Sequence, residues 1–282
     1  MLFINKITSD STCDLSPQQL AQYDITLFPL AVAMGGRDYR DGVDITPTAI
    51  YSHVDQGGDL PKTAAINVVQ YEEVWTECLK THDAVIHLNI SADFSSCHQN
   101  ARVAAQELDK VYVVESRNLS TGHGLLVLKA AELAAQGMDA AEIVAALQDM
   151  ADKVDASFIL SQLEYLKKGG RCSTLAALGA NVLKLKPCIE VKDGKMGVGK
   201  KYRGSFEKCL KEYVSDRLAG RTDLDLKQVF VTHSGMDDAV VQAAVEQVKA
   251  LQPFETLTVT TAGCTVSSHC GPGTLGVLFM TK

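Results

Sequence analysis

The chain has 282 residues, enough for two domains of ordinary size, and 46% of them are hydrophobic, which supplies real cores and excludes a disordered chain. Its formal net charge of −7 argues against nucleic-acid binding, which needs a surplus of Lys and Arg on one face. The first residues lack the pattern of a signal peptide, and no apolar run reaches the length of about 18 residues that a membrane span needs, so the expected location is the cytoplasm, without stable membrane insertion.

In chain order, residues 3–8 read as a short buried strand that leads into the polar turn Ser9-Asp10-Ser11-Thr12. Ser16-Pro17 looks like an N-cap followed by proline at the first helical position. Residues 25–33 form an apolar strand, and Gly35-Gly36 turns it back toward Asp38 and Tyr39 as a hairpin. Thr46-Pro47 caps another helix. Residues 84–89 and 111–114 are β-rich runs, each followed by helical sequence. The Ala- and Leu-rich segment 122–136 and the periodic segment 140–154 are helices. This alternation predicts a mainly parallel sheet with helices on both faces, an N-terminal three-layer α/β/α domain over residues 1–155.

The rhythm then changes. Residues 157–161 read as a strand, 164–168 as a short helix ending at Gly169-Gly170, and 175–183 as helix again. Residues 188–191 and 195–202, joined by Asp193-Gly194, carry a β-hairpin signal. Strands follow at 229–233, 256–261 and 275–280, with a helix at 239–251. The class is α/β throughout, and the second domain, residues 156–282, is expected to hold a mixed sheet.

Three polar clusters fall where a strand gives way to a helix, the usual place for ligands in open α/β sheets. Residues 9–12 read as a helix cap or as a ligand-proximal loop. The run from Ser91 to Ser96 precedes a helix that starts near Cys97 and carries Arg102, and Ser95 or Ser96 is a candidate cap as well as a candidate ligand contact. It lacks the G-x-S-x-G of a nucleophile elbow. The stretch His269-Cys270-Gly271-Pro272-Gly273-Thr274-Leu275-Gly276 builds a tight turn with a histidine at its start, either packed or facing a ligand. Its glycines do not match the dinucleotide fingerprint.

The chain has 8 cysteines, none in a C-x-x-C pair, which read as reduced thiols that pack as small hydrophobes. Cys264, His269 and Cys270 are close in sequence, but no second ligand pair has zinc-finger spacing, so neither a metal nor a cofactor is expected. Residues 184–211 concentrate positive charge, including Lys184, Lys186, Lys192, Lys195, Lys200, Lys201, Arg203, Lys208 and Lys211, against Glu190, Asp193 and Glu207. They read as a solvated face or as a docking patch for an acidic partner or a phosphate.

Taken together, these segments resemble the DegV family, the fatty-acid-binding subunits of bacterial fatty acid kinase. Residues 8–15, Thr-Ser-Asp-Ser-Thr-Cys-Asp-Leu, look like the family's opening T-D-S-T-A-D-L. Pro61-Lys62-Thr63-Ala64 stands in the place of its P-x-T-S loop, and residues 91–101 look like S-S-x-L-S-G-T-Y-Q-S-A. Residues 165–171 are nearly its Y-L-x-K-G-G-R. Lys186-Pro187-Cys188-Ile189, Asp193-Gly194 and Lys201-Tyr202-Arg203 follow its K-P-I…D-G…R pattern, and residues 269–276 its H-x-G-P-G-x-L-G.

The resemblance implies a long-chain fatty acid held in a buried tunnel. Its carboxylate would meet Thr63, Ser95 and His269, with Ser11, Ser96, Gly271 and Arg171 nearby. It also implies a partner, a separate ATP-dependent kinase subunit, docked through Arg203 and Lys201, so that no residue of this chain is catalytic. The departures are Ser96 for Gly, Cys97 for Thr, Ala64 for Ser and Cys13 for Ala, and they bear on the head-group pocket. The rival readings are a small-molecule enzyme using His269 or a cysteine such as Cys97 or Cys270, and an acidic regulatory protein without a ligand.

Overall fold

The computed structural model describes residues 4–176 and 185–282. The chain opens with β1 (Asn5–Asp10), a 3-10 turn (Ser11–Cys13), α1 (Pro17–Gln22), β2 (Thr26–Phe28), β3 (Ala31–Met34), β4 (Arg37–Arg40), α2 (Pro47–Asp55), β5 (Lys62–Ala64) and α3 (Val68–Cys78). It continues with β6 (Ala84–Asn89), α4 (Cys97–Ala105), β7 (Val111–Glu115), α5 (Ser120–Ala135) and α6 (Ala140–Ala151). The remainder comprises β8 (Val154–Leu160), α7 (Glu164–Gly169), α8 (Ser173–Ala176), β9 (Leu185–Lys192), β10 (Lys195–Arg203), α9 (Phe206–Leu218), β11 (Leu224–Ser234), α10 (Asp238–Leu251), β12 (Thr256–Thr261), α11 (Cys264–Cys270) and β13 (Thr274–Thr281). No helix among the described residues is long and apolar enough to cross a membrane.

The first sheet is parallel, in the order β2-β1-β6-β7. Strand alternation sorts its side chains onto two faces. Thr8 and His87, paired in register, face α3, where Trp75, Tyr71 and Phe28 close an aromatic cluster around the imidazole. Ser9 points the other way, toward His123 of α5. The two faces make the predicted three layers. The second sheet is mixed, in the order β10-β9-β8-β13-β11-β12, with only β11–β12 parallel. Helices α9 and α10 cover its outer face around Tyr213, Val214, Val245 and Val248.

Helix α5 lies between the two sheets. Every residue from Ser120 to Leu128 is buried, so the helix has no polar face, as expected of one packed on both sides. Leu126 and Val127 share one core with Ile86 and Leu88 of the parallel sheet and with Phe158 and Leu278 of the mixed sheet.

Several elements differ from the expected ones. The apolar run 25–33 is two strands, because Pro29 has no amide to donate and breaks the ladder between β2 and β3. The second piece makes the expected hairpin with β4, and β5, which the sequence did not announce, extends it into a small antiparallel sheet, β4-β3-β5. Helices α3, α9 and α11 were also not foreseen. Of the helix expected at 175–183, only the residues of α8 are described, and the rest lies outside the described residues.

Gly124 shows how tightly α5 is seated: a Cβ there would stand 2.6 Å from the carbonyl oxygen of Cys13 and 2.9 Å from Leu15 Cδ2. In an open helix, Gly→Ala stabilises by about 1 kcal/mol. Here the clash with backbone reverses the sign, and Gly124→Ala should lower unfolding free energy by about 1–3 kcal/mol in urea denaturation.

Candidate functional site

The chain leaves β1 toward β2 on one side and reaches β6 on the other, so the sheet changes direction between β1 and β6. Loops at such a point diverge and leave a crevice at the carboxyl ends of the strands. Asp10, fully buried at the end of β1, staples the two loops there. It accepts from Thr12 N at 3.1 Å, from Ile90 N at 2.8 Å and from Asn89 Nδ2 at 3.4 Å.

Helix α11 faces this crevice. Its N-cap, Gly263, has no side chain to offer, and the amides are capped from elsewhere in the chain. Gly263 N donates to Asp14 Oδ1 at 2.8 Å, Cys264 N to Asp41 Oδ1 at 2.7 Å and Thr265 N to Asp41 Oδ2 at 3.1 Å. Asp14 also accepts from Ser120 Oγ at 2.5 Å. Burial, reinforced by the neighbouring charges of Asp41 and Asp10, pushes the Asp14 carboxyl up to about 8.

Between α11, the end of α7 and the loop after β6 lies a cavity of about 350 Å³. Leu30, Ile90, Leu119, Met196 and Val266 give it an apolar interior, and Thr63, Ser95, Ser96, Arg171 and His269 give it a polar side. Leu119, Val266 and Cys270 also border a smaller apolar cavity of about 30 Å³ reaching Phe158 and Leu278. Thr63 Oγ1 and His269 Nε2 are 2.9 Å apart. Burial, with a lesser contribution from the Arg171 guanidinium, holds the imidazole down to about 4, so it is neutral at pH 7. His269 Nδ1 is buried without a partner among the described residues, and Gly169 makes room for it, since a Cβ there would come within 2.6 Å. The tautomer with the proton on Nε2 leaves only a bare lone pair at Nδ1 and makes His269 the donor to Thr63, whose own O–H is then free to point onward.

Ser95 Oγ lies 3.2 Å from Cys97 Sγ, to which it donates, and accepts from Cys97 N at 3.3 Å. It, rather than Ser96, serves the start of α4, so the capping and ligand-facing readings of Ser95 coexist. Arg171 ties the site together, with Nη1 donating to Gly169 O at 2.8 Å and Nε to Phe94 O at 3.4 Å. The tip of the β9–β10 hairpin docks on the same loop: Ser91 Oγ donates to Gly194 O at 2.7 Å, and Arg117 pairs with Asp193 at 3.3 Å. This docking sets Met196 into the cavity wall.

Thus Thr63, Ser95, Ser96, Arg171 and His269 line one cavity. Ser11 does not line it; its hydroxyl donates to Asp41 at 2.9 Å and accepts from Leu30 N at 3.1 Å, a structural role. Gly271 is the C-cap of α11, with φ of 71°, packed on Tyr165 behind the wall. Lys201 and Arg203 are exposed on β10, away from the lining. Part of the basic stretch is locally neutralised: Lys192 pairs with Glu190, Lys195 with Asp93, Lys200 with Asp216 and Lys208 with Glu212. Lys184 lies outside the described residues. The roles of Asp14, Asp41 and Thr265 were missed. Asp14 lay within a motif already noted, but no local signal links Asp41 to a helix more than 220 residues away. Burial pushes the thiols of Cys97 and Cys270 up to about 11 and about 12, so neither offers a thiolate nucleophile near neutral pH.

This fold and cavity define a class of α/β proteins, built on a parallel and a mixed sheet with a small antiparallel one beside them, that has known members. The family model described as "Uncharacterised protein, DegV family" matches residues 5–282. A DegV domain-containing protein of Caldanaerobacter subterraneus subsp. tengcongensis is 30% identical over 280 residues, covering 98% of both chains. The chain belongs to the DegV family. Among solved structures, a DegV family protein from Thermus thermophilus, described by its fatty acid binding, superposes with a TM-score of 0.91 at 32% identity over 100% of both chains. A stearic acid-binding protein from Eubacterium ventriosum does so with 0.82 at 26% identity, covering 99% of this chain and 98% of its own.

The Asp14 carboxyl gives a pH signature. Its folded value, about 8, is raised above the ordinary 3.8, so its contribution to stability is full below about pH 4 and is lost as pH rises toward 8. Asp14→Asn keeps an acceptor for Gly263 N and does not ionise. Thermal midpoints at pH 5.5 and 8.5 should therefore fall less between the two pH values in the variant than in the wild type.

Proposed function

We propose that the chain binds one long-chain fatty acid in this cavity and presents its carboxylate to a separate ATP-dependent kinase for acyl phosphate formation. The observation that carries the reading is the Thr63–His269 pair, 2.9 Å apart on the wall of a cavity whose interior is apolar. In this reading the neutral His269 orients Thr63, and the hydroxyls of Thr63 and of Ser95, the latter turned away from Cys97 Sγ, donate to the carboxylate, a charge-assisted arrangement that compensates its desolvation. Arg171 adds a fixed positive charge, and Ser96 stands at the rim.

The magnitudes agree. At about 0.8 kcal/mol per buried CH₂, a tail of about sixteen carbons offers on the order of 10 kcal/mol, against association costs of about 4–15 kcal/mol. The tail supplies affinity and the polar groups supply direction. The fatty acid binding described for the Thermus thermophilus and Eubacterium ventriosum relatives supports the same ligand class.

A hydrogen bond to a charged group contributes about 1.5–3 kcal/mol. Thr63→Ala and His269→Ala should each weaken fatty-acid binding by about ten- to a hundredfold in titrations of delipidated protein. Retained affinity in both variants would remove the head-group assignment.

The kinase side of the reading rests on surface charge. Lys186, Lys201, Arg203 and Lys211 have no ion-pair partner among the described residues, and of these Lys201, Arg203 and Lys211 are exposed and left to meet an acidic surface. Incubated with fatty acid and Mg-ATP alone, the protein should form no acyl phosphate; addition of the kinase subunit should produce it. Arg203→Ala should slow that formation severalfold, more at low salt than at high salt, with fatty-acid loading and melting temperature unchanged.

A further inference from the structure

Helix α11 carries three hydroxyl side chains, and two are absorbed by nearby backbone. Ser267 Oγ donates to Ala262 O at 3.1 Å, and Ser268 Oγ to Cys264 O at 2.7 Å. Thr265 Oγ1 is buried and has no partner among the described residues, although the residue is only 5% exposed. The residue four positions earlier, Thr261, belongs to β12 and not to the helix, so the usual back-bond to a helical carbonyl is missing.

Thr265 precedes His269 by four residues, which puts the two on one face of α11, and both line the cavity. Its amide is held by Asp41 Oδ2 at 3.1 Å, which fixes its place on the wall. The hydroxyl oxygen is closed off from the cavity as it stands, but threonine in a helix has two accessible χ1 wells, and turning between them exchanges the hydroxyl with the methyl and brings it to the wall. The apolar neighbours on that wall, Leu30, Leu119 and Val266, offer no side-chain acceptor.

We infer that the Thr265 hydroxyl is a second polar contact for the bound ligand, and that the favoured class is a fatty acid carrying an oxygen on a carbon close to its carboxylate, such as a 3-hydroxy fatty acid. This rests on the fatty-acid reading above. The carboxylate is served by Ser95 and by Thr63, which His269 orients, while Thr265 stands about one helical turn, about 6 Å of axis, before His269 on α11. That offset covers the reach from a carboxylate to an oxygen on one of the next carbons. A plain methylene chain leaves the hydroxyl unpaired, and an oxygenated chain pairs with it; a site that buries a polar group discriminates in this way against the analogue lacking its partner.

The test is the ratio of dissociation constants for palmitate and 3-hydroxypalmitate, measured on delipidated protein. The wild type should favour the hydroxy acid by about three- to tenfold. Thr265→Val, which keeps the shape and removes the hydroxyl, should bring the ratio close to one. Thr265→Ser, which keeps the hydroxyl, should retain the preference, and the melting temperatures of both variants report that they fold. A wild-type ratio near one, or a ratio unchanged in Thr265→Val, overturns the inference. Failure of the wild type to bind either acid instead brings down the fatty-acid reading itself.

Discussion

Three amides at the start of α11 point at two carboxylates that come from distant parts of the chain. Asp14 stands just after the first strand, and Asp41 follows β4 beside the small antiparallel sheet. Helix termini leave amides unsatisfied, and a helix of seven residues has little intrinsic stability to spare. The helix that carries Thr265 and His269 therefore depends on these carboxylates for its position. Through it, the distance between His269 and Thr63 depends on the first loop of the protein. Asp41 also holds Ser11, and Ser11 holds the amide of Leu30, so the same carboxylate that caps the helix fixes one wall of the cavity.

On the proposed reading, the cavity combines two requirements that conflict in most cores. An acyl chain asks for walls without polar groups, and a carboxylate asks for donors that are not already taken. The structure separates them in space. Hydroxyls and a neutral imidazole stand on the side formed by β5, the loop after β6 and the end of α11, while Leu119, Val266 and Met196 form the interior. A charged His269 would be a buried ion in its own right, and burial holds the imidazole neutral instead.

Much of the fold was legible because its signals are local. The parallel strands at 84–89 and 111–115 are β-rich runs followed by helices, and the Asp193-Gly194 turn marks its hairpin. Some signals were present and went unread. Pro29 divides a run that looked continuous, Asn67 and Gln70 form a capping box at the start of α3, and the apolar spacing of Cys209, Leu210, Tyr213 and Val214 is that of α9. Helix α11 is different in kind. Its sequence, Cys-Thr-Val-Ser-Ser-His-Cys, consists of weak helix formers after an N-cap without a side chain, and its capping groups lie more than 220 residues earlier. Local reading has no access to such a helix. The pairing of Thr63 with His269 came from resemblance to a family pattern, since a separation of 206 residues carries no spacing signal.

The order of elements along the chain has a consequence for biosynthesis. Strand β13 sits between β8 and β11, yet it follows both of them, and β12 as well, in the chain. The inner edges of β8 and β11 thus leave the ribosome without the strand that will join them, and α11 emerges only just before it. At about 5–20 residues per second, the 206 residues between Thr63 and His269 correspond to a delay on the order of ten to forty seconds. During that interval the nascent chain has Thr63 but no histidine to orient it and no closed wall behind it. The cavity wall formed by α11 exists only in the finished polypeptide, and a chaperone that shields unpaired strand edges would find its target in the mixed sheet.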